Sequence, residues 1–191
     1  MTPPVRVLRQ RTLYRGRVIQ LIREVLDMRG HRVIRETIRH PGAVVIVPIL
    51  SRSQMVFVRQ YRRAVGRELL ELPAGTLQNG EPPLACARRE LAEETGWRAR
   101  RMRRLGSFYA APGFVSERMT VYLAQDLTPG VAQPEPDEWV TPVILSFRAA
   151  LAKIRSGAIC DAKSIIGVLF AVEALRRSCY TNRSYDINRA D

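Results

Sequence analysis

Residues 80–97, GEPPLACARRELAEETGW, place the tightest constraint on the fold. Pro82 and Pro83 suit the first turn of a helix, where backbone N–H groups have no intrahelical partner to lose. Gly96 is a natural stop. The spacing therefore predicts a helix over residues 83–95, with Leu84, Ala87 and Leu91 on one apolar face and the small Cys86 as packing. Glu90, Glu93 and Glu94 crowd onto a single turn of that helix. Like charges three and four apart cost an isolated helix ~0.2–0.5 kcal/mol per pair. Arg89, four residues before Glu93, relieves part of this, but Glu90 and Glu94 share a face and still need compensation.

A divalent cation would supply it. Carboxylates fixed on a rigid helix bind hard cations that prefer oxygen. The other residue types leave few alternatives: the cysteines, Cys86, Cys160 and Cys179, form no CxxC pair, and the histidines are only His31 and His40. That disfavours a disulfide framework, a zinc site or a histidine-rich centre, and points to Mg²⁺ or Mn²⁺. On these helix residues alone a solvated face is the preferred reading, because Glu and Arg are good helix formers; the wider spacing below changes that.

The chain has 191 residues, enough for one domain with or without a small lobe, and its 46% hydrophobic content is enough for a core. Its longest apolar runs, residues 43–50 and 165–172, are interrupted by Pro48 and Gly167. Both fall well short of the ~20 residues that cross a bilayer. The N-terminal MTPPVRVLRQRTLYRGR has no apolar stretch of the signal-peptide kind, so a soluble cytoplasmic protein without a membrane partner is expected. The net charge of +13 raises the question of a polyanionic partner. The basic residues are nearly all arginine, scattered except for RARRMRR at 98–104, with lysine only at Lys153 and Lys163. A solvated basic surface is the preferred reading and a nucleic-acid partner is not expected.

Residues 12–38 read as two or three strands with a tight turn at MRGH. AVVIVPIL and QMVFVRQY read as a hairpin through SRS, and ELLELPAG as a strand entering a loop. SFYAAPGFVSERMTVYLAQDL reads as strand, loop, strand; TPGVAQPEPDEW as a Pro-rich acidic loop; TPVILS as a strand. SFRAALAKIRSG and DAKSIIGVLFAVEALRRS read as two helices, with a loose polar tail after residue 180. Strands with two or three helices imply an α+β fold, a mixed sheet covered by helices.

Gly75, Glu81, Arg89-Glu90-Leu91, Glu93-Glu94 and Gly96-Trp97 carry the spacing of the Nudix box, and the chain resembles Nudix hydrolases at each charged and glycine position. Trp97 is the one departure, standing where an aliphatic residue is usual. Beyond the box, RETIRHPGAVVIVPIL, VRQYRRAVGRELLELPAG, FYAAPGFVSE and DAKSIIGVLF are similar to stretches of the ADP-ribose pyrophosphatase (ADP-sugar diphosphatase) family. Pro112 falls fifteen residues after Trp97, and the likeness spans roughly residues 10–175.

The resemblance implies a Nudix fold: an α/β/α sandwich over residues 41–180, a small N-terminal antiparallel β lobe over 1–40 for dimerisation, and a loose tail over 181–191. It implies Mg²⁺, with Mn²⁺ as a substitute, held by Glu90 and Glu94 with Glu93 assisting and the main-chain carbonyl of Ala74 as a further ligand. Arg89 is implied as the partner orienting these carboxylates. The implied reaction is cleavage of ADP-ribose to AMP and ribose 5-phosphate, with Glu117 as general base and Glu135, Asp137 and Glu138 as rivals. Arg62 is implied as the arginine that meets the pyrophosphate, a task its planar fork suits; Arg59 and Arg63 are alternatives. Glu71, Pro112 and Gly113 are implied near substrate. In a homodimer, Arg35, Glu36 and Arg39 would lie by the neighbour's substrate, with Arg35 where an aromatic ring usually stacks on adenine. The other readings are a hydrolase of another nucleotide sugar such as GDP-mannose, and an RNA-processing or RNA-binding Nudix protein. The SQPWPFPxS signature of NADH-cleaving members is absent.

Overall fold

The computed structural model describes residues 5–133 and 138–186. The chain opens with three antiparallel strands, β1 (Val5–Arg15), β2 (Gln20–Met28) and β3 (His31–Arg39), which form a sheet of their own. Arg29 and Gly30 make the tight turn between β2 and β3, and the Gly30 N–H donates to Asp27 Oδ1 at 2.8 Å. The first strand starts well before residue 12, and every residue of β1 is exposed.

The remaining elements are β4 (Ala43–Pro48), β5 (Gln54–Arg62), β6 (Arg67–Glu71), β7 (Ala74–Thr76), α1 (Pro83–Thr95), β8 (Arg98–Tyr109), β9 (Arg118–Thr128), β10 (Val140–Ser146), α2 (Phe147–Arg155) and α3 (Ala162–Asp186). A mixed sheet has the order β7-β4-β9-β8, with β4 and β9 parallel; an antiparallel one has the order β10-β5-β6.

The expected hairpin of AVVIVPIL with QMVFVRQY does not form. β4 and β5 lie in different sheets, joined by one isolated bridge between Ile49 and Met55. Both edges of β4 are already taken, by β7 and β9, and both its faces are buried. Val45 and Val47 enter one core with Phe57, Leu72, Val121, Leu123, Ala150, Val168 and Ala171, beneath α2 and α3. Val44 and Ile46 enter the other with Tyr122, Ala124 and the α1 residues Cys86, Ala87 and Leu91. A strand apolar on both faces belongs in the middle of a layered structure. The expected α+β architecture, with sheet between helices, is what forms.

Helix α1 starts at Pro83 and ends at Gly96 in the left-handed region (φ 75°). Its buried face differs from the expected one. Leu84 is exposed, and Cys86, Ala87, Glu90, Leu91, Glu94 and Thr95 are buried. A Cβ on Gly96 would meet the Gly130 carbonyl oxygen at 2.9 Å, and the Gln133 N–H donates to the Glu93 carbonyl at 2.9 Å. The segment leading into the acidic loop is thereby fastened to the C-terminal end of α1.

RARRMRR lies within β8, the edge strand of the mixed sheet, with Arg98, Arg100, Arg101, Arg103 and Arg104 exposed. Charged side chains along a sheet edge discourage pairing with other chains. Helix α3 continues to Asp186, into the region expected as a loose tail. Among the described residues no helix is long and apolar enough to cross a membrane.

Candidate active site

The site forms where the end of β6 turns into β7 against helix α1. Leu72 is buried, and the Ala74 N–H donates to Glu94 Oε2 at 3.1 Å. At Gly75 the strand and helix meet so closely that a Cβ would lie 1.9 Å from the Glu90 carboxyl carbon. The glycine exists to leave that volume to a carboxylate.

Glu90 and Glu94 are both buried, at 8% and 2% exposure. Burial pushes the Glu90 carboxyl up to about 7, a rise that the adjacent Arg89 moderates and the charges of Glu93 and Glu138 increase. Burial pushes Glu94 up to about 8, with the charge of Glu90 adding to it. Arg89 grips the surrounding carboxylates. Its Nε and Nη2 donate to the two oxygens of Glu81 at 3.0 Å each, and its Nη1 lies 2.8 Å from Glu90 Oε1 and 2.9 Å from Glu93 Oε2. Through the Arg89 hydrogen bonds Glu81 is held at about 2, well below the usual carboxylate range.

The donor set fits a hard divalent cation: burial raises the pKa of both carboxylates, and a cation beside them would favour their ionised form. Among the described residues no three Asp, Glu, His or Cys side chains gather around one point. Arg89 occupies Glu90 and Glu93, so these would turn from the guanidinium toward an incoming cation.

A second charged group stands on β5, β6 and α3. Glu71, 1% exposed, accepts from Arg62 Nε at 3.1 Å and Nη2 at 2.6 Å, and from Lys163 Nζ. Burial opposes its ionisation, but the Arg62 hydrogen bonds and the Lys163 charge outweigh it and hold its pKa below the usual value. Lys163 Nζ also reaches Asp161 Oδ2 at 2.9 Å, and that same oxygen accepts the Ser164 N–H at 3.0 Å at the start of α3. A cavity of about 350 Å³ opens beside this second group and the β7 backbone, lined among others by Arg62, Ala74, Gly75, Glu117, Asp161 and Lys163; none of the α1 carboxylates lines it.

Glu117, just before β9, thus faces the same cavity as Arg62 and Ala74. Of the acidic loop, Glu138 is near enough for its charge to raise both Glu90 and Glu94, whereas Glu135 and Asp137 lie outside the described residues. Arg59 is exposed on β5, out of step with Arg62 along the strand, and does not line the cavity. Pro112 and Gly113 are exposed in the loop between β8 and β9 and do not line it either. Arg35, Glu36 and Arg39 sit exposed on β3, where Arg39 Nη2 reaches Gln10 Oε1 at 3.3 Å.

Sequence reasoning gave no role to Lys163, Asp161 or His40. One signal was there: in a chain whose basic residues are nearly all arginine, Lys163 is one of two lysines, and His40 one of two histidines.

A family model, the NUDIX domain, matches residues 39–160. The chain belongs to the Nudix family and is a Nudix hydrolase. It is 37% identical over 161 residues to the methanol dehydrogenase activator of Bacillus methanolicus, covering 83% of this chain and 87% of that one. It is 36% identical over 185 residues to the ADP-ribose pyrophosphatase of Mycobacterium tuberculosis, covering 94% and 88%. The crystal structure of an ADP compounds hydrolase superposes with a TM-score of 0.82 at 25% identity, over 91% of this chain and 95% of that one.

Proposed function

We propose that this chain hydrolyses the pyrophosphate bond of ADP-ribose to AMP and ribose 5-phosphate, with Mg²⁺, or Mn²⁺ in its place, as cofactor. The observation that carries this reading is the convergence of Gly75, seated against buried Glu90, with Arg62 and Glu117 on one cavity. Support for the substrate comes from the similarity to an ADP-ribose pyrophosphatase and an ADP compounds hydrolase.

Glu90 and Glu94, with Glu93 and the main-chain carbonyl of Ala74, would hold the divalent cation. When bound, it supplies neutralisation of the pyrophosphate charge and of the charge that builds as the bond breaks. Arg89, doubly bonded to Glu81, keeps the loop ahead of α1 in register with the helix. Arg62 commits Nε and Nη2 to Glu71, which leaves its Nη1 edge for a phosphate oxygen. Glu117 accepts the proton of the attacking water; water oxygen joins one phosphorus as the P–O–P bond breaks, and the bridging oxygen leaves with the other product. Glu117 is preferred to Glu138 as base because it lines the cavity beside Ala74 and Gly75.

Residues 1–40 serve as a dimerisation lobe on a hydrolase domain of residues 41–180. Val5, Val7, Leu13 and Tyr14 are exposed at 47%, 52%, 42% and 58% on β1, which leaves apolar groups on this strand available to a partner. A homodimer would bring Arg35, Glu36 and Arg39 to the neighbour's cavity. No nucleic-acid partner is proposed, because the basic run is accounted for as a guarded sheet edge.

The test is a substrate panel with Mg²⁺: ADP-ribose, ADP-glucose, GDP-mannose, NADH and a 5′-triphosphorylated RNA. AMP released fastest from ADP-ribose supports the reading. A preference for GDP-mannose keeps the cation site and replaces the substrate, and turnover of RNA alone overturns the reading.

A further inference from the structure

Glu117 stands at the end of the loop between β8 and β9, and the stem of that loop is fastened to the end of β3. The Ile38 N–H donates to the Phe114 carbonyl at 2.8 Å, and the Ser116 N–H donates to the Ile38 carbonyl at 2.9 Å. The His40 N–H donates to Ser116 Oγ at 3.0 Å. On the other side, the Ala110 N–H donates to the Glu117 carbonyl at 3.1 Å. The Glu117 carboxylate itself makes no hydrogen bond among the described residues. The side chain it faces is His40, with Nε2 at 3.8 Å from Oε1 and side-chain exposures of 11% and 25%.

The imidazole is held in one tautomer. The Gly42 N–H donates to His40 Nδ1 at 3.1 Å, so Nδ1 is the acceptor and the neutral ring carries its proton on Nε2. Nε2 is the nitrogen that faces Glu117. The donor is fixed as firmly as the ring. Gly42 has φ +103°, a Cβ on it would lie 3.1 Å from the Arg118 carbonyl oxygen, and its own carbonyl accepts the Leu77 N–H at 3.0 Å.

We propose that His40 is a positioning residue for Glu117. Its Nε2–H holds one carboxylate oxygen and leaves the other free to take the proton of water. The separation of 3.8 Å is longer than a hydrogen bond. A rotation of the Glu117 side chain closes it, and such bonds are commonly long before substrate binds. The proton passes from water to Glu117, and His40 takes no part in the transfer. This inference rests on the reading of Glu117 as the base, and it ties the reactive carboxylate to the N-terminal sheet.

The experiment compares Glu117→Gln, His40→Phe, His40→Gln and the double variant His40→Phe/Glu117→Gln, in steady-state hydrolysis of ADP-ribose with Mg²⁺. Glu117→Gln should lower kcat by about 100-fold or more. His40→Phe, which keeps the ring volume and loses both nitrogens, should lower kcat about tenfold with KM unchanged within about twofold. His40→Gln, which keeps an N–H near the Nε2 position, should restore most of that loss. The double variant should be no slower than Glu117→Gln alone, because His40 acts through Glu117. Mn²⁺ binding, followed by electron paramagnetic resonance, should be the same in all four. Should His40→Phe fail to fold by circular dichroism, His40→Asn takes its place, since it keeps an acceptor for Gly42 and cannot reach Glu117. A full further loss in the double variant, a change in KM alone, or no recovery in His40→Gln overturns the positioning role. If Glu117→Gln is crippled and His40→Phe is fully active, the role of His40 falls and the base stands. If Glu117→Gln is fully active, the base assignment falls and the role of His40 falls with it.

Discussion

Gly75 and Glu90 share one small volume: a Cβ on the glycine would lie 1.9 Å from the carboxyl carbon of the glutamate and 2.4 Å from its Cγ. The short strand β7 can approach α1 only because residue 75 has no side chain, and the approach sets the Glu90 carboxylate behind the Ala74–Gly75 backbone. Gly75→Ala should therefore displace Glu90 while leaving the two cores untouched. The expected result is a loss of Mn²⁺ affinity of about 10–100-fold, read by titration calorimetry, with a near-native circular dichroism spectrum.

Glu94 is buried to 2% exposure with its carboxyl pushed up to about 8. Glu94→Gln keeps an oxygen to accept the Ala74 N–H and removes a charge the fold holds at a cost. Activity should fall by at least about 100-fold, and the variant in EDTA at pH 8 should be more stable than the parent by on the order of 1 kcal/mol. A thermal melt beside a rate measurement checks both at once; retained turnover would remove Glu94 from the cation site.

The pH dependence of the cation-free protein has a definite sign. The folded pKa values of Glu90 and Glu94, about 7 and about 8, lie above the ordinary carboxylate value of 4.5. Their contribution is fully present below pH 4.5 and is lost as pH rises through 7 and 8. Glu81 has the opposite shift, down to about 2, so its contribution is present above pH 4.5 and is lost as pH falls through 2. In EDTA the melting temperature should be highest near pH 5 and decline toward pH 9. Saturating Mg²⁺ should reverse the alkaline decline by binding the ionised pair. Melts across pH with and without the cation give the answer, and identical profiles would contradict it.

Arg62 holds Glu71 through two nitrogens, Nε at 3.1 Å and Nη2 at 2.6 Å. Arg62→Lys keeps the charge and loses the planar fork, so the substrate-facing edge goes with the second bond to Glu71. KM for ADP-ribose should rise about tenfold with kcat changed less than about threefold. Steady-state kinetics separates this from a general loss of fold, which would lower the active fraction and leave KM alone.

The exposed apolar residues of β1 predict the oligomeric state. Light scattering should give a dimer, and Val7→Asp with Leu13→Asp should shift it toward monomer, since charge in a buried interface is strongly disfavoured. A monomeric parent protein would refute the dimerisation lobe.

Much of the chemistry could be read along the chain. The Pro82-Pro83 start, the Gly96 stop and the spacing of Glu90, Glu93 and Glu94 describe a helix with its carboxylates, and α1 forms with those boundaries. Local rules suffice there because caps, helix period and i,i+4 neighbours all lie within one element. Even so, the buried face was misread at Leu84, since the face of a helix that is buried depends on what packs against it.

Relations between elements distant in sequence were not legible in this way. The pairing of β4 with β7 and β9, in place of a hairpin with β5, follows from burial on both faces, which competition among strands decides. The seating of Glu71 between Arg62 and Lys163, separated from it by 9 and 92 positions, required β6 to dock beside α3. The same holds for His40 and Glu117, brought within 3.8 Å only when β3 pairs with the loop before β9. Local sequence settles which groups are available and how the carboxylate-bearing helix is built. Which of those groups share a cavity depends on packing between distant elements, because desolvation and charge pairing act through space and have no signature in local spacing.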